Sequence, residues 1–238
     1  HGVPGTRSGL DPVYTIGQQI TEAIRAHEAV DHRTAMQRAL QMLERVQIPQ
    51  ARRRYDAYPH ELSGGMRQRA MIALALACKP KLLLADEPTT ALDATVQIQI
   101  LLLLRELQKE TGMSVIFVTH DIGAAVEVAD KIAVMYGGRI VEENSVAGIV
   151  HSPRHPYTAG LLASTVSTEN RGKPLLAVPG SPPDLSALPP GCSFAPRCSN
   201  AQQQCTREQP KVISLNGERL ACWNPVLPLL KEEAMATA

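Results

Sequence analysis

The sequence predicts an α/β fold with a mainly parallel sheet and a helical subdomain, followed by a loop-rich, cysteine-containing C-terminal module. Three observations predict it. Two short apolar runs, residues 81–86 and 113–119, alternate with stretches of helical periodicity, which is the pattern of strand–helix–strand units. Both runs lack polar alternation, as strands covered on both faces do. Beyond residue 165 no long helical period occurs, while ten of the 18 prolines and four of the five cysteines fall there.

The elements follow in order. Residues 1–12 are rich in Gly and Pro and read as loop. Ile16, Ile20, Ala23, Ile24 and Ala26 keep helical spacing, as do Ala35, Met36, Ala39, Leu40, Leu43 and Val46, giving two amphipathic helices. Asp31 caps the second, and Ile48-Pro49 ends it. Residues 50–62 read as polar connector, with Arg52–Arg54 a solvated face. Ser63-Gly64-Gly65 opens a helix to about Cys78, stopped by Lys79-Pro80. Lys81–Asp86 is a buried strand, Asp93 caps a helix to about Glu110, and Met113–Thr119 is a second buried strand. A short helix is expected at Ile122–Ala129. Lys131–Tyr136 and Arg139–Glu142 flank Gly137-Gly138, a hairpin signal. A last helix is expected near Tyr157–Ala163. The expected division is a first domain at 1–165, with a helical part at about 15–80 and a strand-bearing part at about 81–165, and an extension at 166–238.

Composition narrows the class of function. With 44% apolar and 20% charged residues, the 238-residue chain can bury a core and is not a disordered tail. Its 24 Lys and Arg balance 23 Asp and Glu, so no global field grips a nucleic-acid backbone. Two Phe, one Trp and five Tyr are too few for a base-stacking platform. The longest apolar runs, such as Met71–Cys78, fall far short of the roughly 20 residues that cross a bilayer. The sequence begins at His1 with no signal-peptide pattern, and a chain whose true start has been lost is expected.

The chemistry gathers around Asp86-Glu87. An apolar strand ending in two carboxylates presents them at the carboxyl edge of a sheet, where α/β proteins place ligands. Asp86 suits Mg²⁺ through oxygen coordination, and Glu87 can polarise a water for attack on a phosphoryl group. Alone, such a pair is ordinary surface charge. Upstream, Ser63-Gly64-Gly65 at a helix start offers a hydroxyl, backbone N–H groups and the positive end of the dipole to a phosphate. Alone, it is an ordinary N-cap. Downstream, Thr119-His120-Asp121 ends the second strand, and His120 can donate to a γ-phosphate. Ala91-Leu92-Asp93 lies between.

Taken together, Leu62-Ser63-Gly64-Gly65, then Leu82 to Pro88, then Ala91-Leu92-Asp93, then Val118-Thr119-His120-Asp121 resemble the ATP-binding-cassette (ABC) ATPases over residues 9–165. The resemblance implies a role for each position. Ser63, Gly64 and Gly65 would be the signature motif, facing the ATP held by an opposite subunit. Asp86 would serve Mg²⁺, Glu87 would be the general base, Asp93 would lie in the loop coupling two ATP sites, and His120 would read the γ-phosphate. Met66 stands where many members have Gln, a change that backbone donors should tolerate. Leu10 to Gly17, Tyr58 to Met66, His155-Pro156-Tyr157-Thr158, and Pro179-Gly180 leading to Cys192–Cys198 resemble the dipeptide and oligopeptide importers of bacteria. Nickel and glutathione importers share much of this pattern.

This resemblance implies an ATP-hydrolysing subunit that energises peptide uptake, peripheral on the cytoplasmic face of the inner membrane. Its cofactors would be ATP and Mg²⁺. Its partners would be a second ATPase subunit, two permease subunits and, indirectly, a periplasmic or lipoprotein peptide-binding protein, with no nucleic acid. No Gly-x-x-x-x-Gly-Lys-Ser/Thr phosphate loop occurs in the 238 residues. The family's Q-loop glutamine would fall at Pro4, in a stretch, His1–Ser8, that does not fit. Truncation or a divergent start is expected, and with it weak ATP binding and negligible hydrolysis by this polypeptide alone. The rival reading is a non-catalytic remnant, or a subunit that only completes a partner's site.

Cys192, Cys198, Cys205 and Cys222 are separated by intervals that match no paired Cys-x-x-Cys ribbon. For this tail the resemblance implies a four-iron–four-sulfur cluster, with zinc, disulfides or free thiols as alternatives. Cys78 reads as a small core residue.

Overall fold

The computed structural model describes residues 9–90, 92–164, 177–215 and 217–226. The stretch 1–8 with Pro4, Ala91 and most of the first residues past 165 lie outside them. The chain divides into two compact units, residues 1–120 and 121–238.

The first unit is built on helices that announce their own starts. α1 (Ile16–His27) begins at Thr15, whose hydroxyl accepts from Gln18 N–H at 3.3 Å while the Gln18 side chain takes Thr15 N–H at 3.0 Å. α2 (His32–Arg45) begins at Asp31, which accepts from Thr34 N–H at 3.0 Å. Ile16, Ile20 and Ile24 of α1 and Ala35, Ala39 and Leu43 of α2 are fully buried, and α4 (Gly64–Leu76) adds Ala70, Ile72, Ala73 and Leu76 to the same core. A bidentate Arg38–Glu28 pair at 2.6 and 2.7 Å braces the α1–α2 turn.

The stretch read as polar connector is structured. It holds α3 (Ala51–Tyr55) and a 3₁₀ turn at Pro59–Glu61. Tyr55 is buried over Gly17, where a Cβ would come within 2.3 Å of the ring, and its hydroxyl meets Thr21 Oγ1 at 2.7 Å. Polar sequence hid this because one aromatic anchor, not a periodic stripe, holds the segment. Arg52 and Arg53 are exposed, as a solvated face requires.

β1 (Leu82–Asp86) and β2 (Ser114–Val118) pair in parallel, with Leu82 opposite Ser114 and Asp86 opposite Val118. α5 (Ala94–Thr111) connects them and buries Ile100, Leu103, Leu104 and Leu107 in the helical core, ending at Gly112 with φ 66°. Contrary to the expectation of two covered faces, burial alternates. Leu83 is buried, and Val115 and Phe117 pack against the same core, while Leu82, Leu84, Ile116 and Val118 are exposed. Only the inward face meets the helices, so a run of apolar residues reads as fully buried when it is covered on one side.

The second unit starts with α6 (Ile122–Val128), capped by Asp121 through Gly123 and Ala124 N–H. β3 (Lys131–Tyr136) and β4 (Arg139–Ser145) form the expected hairpin, with Gly137 and Gly138 at φ 56° and 75°. α7 (Val146–His151) and α8 (Pro156–Ala163) follow. Past residue 165 come a 3₁₀ turn at Ala195–Arg197, α9 (Gln203–Arg207), β5 (Ile213–Leu215) and β6 (Glu218–Leu220). β6 pairs antiparallel with β4 and β5 with β6, giving the order β3-β4-β6-β5. One sheet therefore joins residues on both sides of position 165. The parallel pairing expected for the site-bearing strands is β1–β2, and this second sheet is antiparallel.

Candidate functional site at the end of the parallel pair

Asp86 is the last residue of β1, and its side chain is exposed at the carboxyl edge. The chain turns immediately afterwards. Glu87 sits at φ 44°, a left-handed conformation that a non-Gly residue holds only against local strain. Two main-chain bonds impose it: Glu87 N–H donates to Val118 O at 2.9 Å, and Thr90 N–H donates to Glu87 O at 3.1 Å. The carboxylate is thereby fixed at the mouth of the strand pair. His120 Nδ1 lies 3.0 Å from Glu87 Oε1, and Thr90 Oγ1 donates to Oε2 at 2.8 Å. The His120 contact first, and the Thr90 hydroxyl second, hold this carboxyl below the usual range for glutamate. It is a base at neutral pH.

Ser63, Gly64 and Gly65 sit at the N-terminus of a different helix. Ser63 Oγ accepts from Met66 N–H at 3.3 Å, and Ser63 and Gly64 are exposed. Gly65 has a steric reason: a Cβ there would lie 2.6 Å from Val96 Cγ1 on α5. Asp93 caps α5, accepting from Val96 N–H at 3.0 Å. The start of α4 and the Asp93-capped start of α5 are thus packed side by side.

The structure brings Glu87 and His120 into contact, sets Asp86 beside them in sequence, and leaves Ser63–Gly65 on a separate, solvent-facing helix mouth. The reading from sequence missed Thr90. Its signal was a hydroxyl three residues beyond the Glu, across a turn that only the left-handed residue closes.

An oxygen donor such as Asp86 fits Mg²⁺, which takes few protein ligands and is completed by phosphate oxygens and water. Among the described residues no group of three or more His, Cys, Asp or Glu forms a metal site by itself. That result bears directly on the cysteine tail. Cys192, Cys198, Cys205 and Cys222 line one small cavity of about 10 Å³ with His155, Phe194 and Trp223. All are free thiols. Burial pushes the Cys192 and Cys198 thiols up and that of Cys222 up to about 11. The iron–sulfur cluster that the resemblance implies gains no support here: the four cysteines share one small cavity, and no metal-holding group is found among the described residues.

Two family models match the chain: "ABC transporter" over residues 5–90 and "Oligopeptide/dipeptide transporter, C-terminal region" over residues 141–205. A Brucella melitensis protein named for peptide import and ATP binding is 51% identical over 228 residues, covering 92% of this chain and 68% of that protein. The chain belongs to the ATP-binding proteins of the ABC transporter family. A similarly named protein of Brucella abortus is 51% identical over 219 residues, with 92% of this chain and 66% of that one covered. Among solved structures, the bacterial ABC transporter cassette MJ0796, solved as a dimer, matches with a TM-score of 0.52 at 33% identity, over 58% of this chain and 59% of that one. The same cassette in a post-hydrolysis state bound to ADP and phosphate matches equally well. By family this ABC protein is therefore an ATPase, on the α/β fold of those cassettes, spanning about two thirds of the relatives' length. No helix among its described residues is long and apolar enough to cross a membrane.

Proposed function

We propose that this ABC protein binds and hydrolyses ATP to energise uptake of di- and oligopeptides across a bacterial inner membrane. The observation that carries the reading is the Glu87 carboxylate, held at a parallel-strand edge by His120 at 3.0 Å and Thr90 at 2.8 Å, directly after Asp86. Bound Mg-ATP would supply the electrophilic phosphorus and a cation that neutralises developing charge. Glu87 accepts the proton of an attacking water, its ionised form secured by its two donors. His120 holds one oxygen of that base. Asp86 offers its carboxylate to the cation. The exposed Ser63 hydroxyl and the first N–H groups of α4 suit the phosphates of a nucleotide held by a second ATPase subunit, packed head to tail. Two permease subunits and a peptide-binding protein complete the assembly, which places this chain peripherally on the inner face of the membrane. The peptide substrate rests on the names of the Brucella relatives and the match to the oligopeptide C-terminal region.

The test is Glu87→Gln in the complete ATP-binding subunit. Turnover should fall by about 10²-fold or more while nucleotide binding persists. Unchanged turnover removes Glu87 from the reaction. Uptake assays with di- and tripeptides, nickel and glutathione decide the cargo, and nickel or glutathione uptake without peptide uptake overturns the peptide assignment.

A further inference from the structure

We propose that Thr90 is a positioning residue for Glu87, its hydroxyl selecting the orientation in which the carboxylate faces the reacting water. The inference rests on the reading of Glu87 as base given above. Glu87 is half exposed and has three rotatable side-chain bonds, so it carries up to about 2 kcal/mol of rotamer entropy that opposes a single pose. His120 alone pins only Oε1, about which the carboxylate can still swing. The Thr90 hydroxyl takes the other oxygen at 2.8 Å. Two directed bonds to two oxygens define the plane of the group, which one bond does not.

Thr90 is suited to this task by its place in the chain. Its own N–H closes the turn onto Glu87 O at 3.1 Å, so the hydroxyl and the carboxylate ride on one short loop. His120 arrives from beyond the end of a different strand, β2. Each carboxylate oxygen retains a further lone-pair direction, so the two bonds leave Glu87 able to accept a proton from water. The left-handed backbone at Glu87 fits the same purpose. Strain at φ 44° is tolerated where it aims a side chain that the surroundings then hold.

The experiment compares Thr90→Val, which keeps the shape and removes the donor, with Thr90→Ser, which keeps the donor. In the isotopically labelled 238-residue chain, NMR scalar couplings across the Glu87 Cα–Cβ bond should report one rotamer for the wild type and for T90S, and averaged rotamers for T90V. In the complete subunit within its transporter, T90V should lower kcat about tenfold with the KM for ATP unchanged, and T90S should restore it to within about twofold. A T90V protein that keeps the single rotamer, or keeps the wild-type kcat, overturns the proposal, as does a T90S protein that behaves like T90V. Glu87→Gln is run beside them. If that variant still turns over, the reading of Glu87 fails by itself, while the couplings continue to decide whether Thr90 holds the side chain.

Discussion

Among the described residues, His155 carries the clearest acid sensitivity. It is 1% exposed, its Nδ1 accepts from Tyr157 N–H at 3.1 Å, and its ring packs against Phe194. Burial lowers its pKa from 6.5 to about 4. The unfolded chain therefore binds a proton at this residue between those values while the folded chain does not. Stability rises with pH across that window and is lost as pH falls from about 6.5 towards 4, by roughly 3 kcal/mol for this group. Urea denaturation at pH 4.5 and 7 should show the drop, and His155→Gln should flatten it; an equally steep profile in that variant would assign the acid sensitivity to other groups. Its neighbour in function is Glu142, 2% exposed, whose two oxygens accept the Arg154 and His155 N–H groups at 2.7 and 2.9 Å. That buried carboxylate ties β4 to the start of α8, a structural role for the His-Pro-Tyr-Thr stretch that motif reading alone does not supply.

Among the elements, α4 and α5 meet at one residue. Gly65 lets α4 begin close against α5, because a methyl group there would meet Val96 at 2.6 Å. Gly65→Ala should cost about 1–3 kcal/mol by overpacking, measured by thermal or urea unfolding. A stability loss under about 0.5 kcal/mol would mean that Val96 turns aside and that the steric argument is void. The strand pair makes a related point. Its apolar run suggested a strand buried on both sides, yet Leu84 is 69% exposed while Leu83 is buried. Periodicity reports where a face is polar. It cannot report how many faces are covered when both are apolar.

For the whole molecule, the proposed function would draw on two places in the chain, a base edge at Asp86, Glu87 and His120 and a helix mouth at Ser63–Gly65. The 238 residues contain no Gly-x-x-x-x-Gly-Lys-Ser/Thr motif. Isothermal titration of this polypeptide with Mg-ATP should accordingly give affinity weaker than micromolar, and micromolar binding would show that the residues present grip the phosphates unaided. Most helices and both strands of the parallel pair were legible, since caps at Thr15, Asp31, Ser63 and Asp93 are local and act within three residues. α3 was not, because Tyr55 finds its place on Gly17 and Thr21, more than thirty residues away in the chain. The sheet of the second unit was legible only as a hairpin, because β6 reaches β4 across a long separation that no local pattern encodes.

By itself, the amino-acid order determined the family, the helix starts and the identity of the acidic pair, since these rest on residue type and short spacing. Only the tertiary structure decided that Thr90 shares Glu87 with His120, that Gly65 answers to Val96, and that the four tail cysteines meet at one cavity. Those outcomes depend on which distant backbones come to lie side by side, and on how much water is excluded when they do.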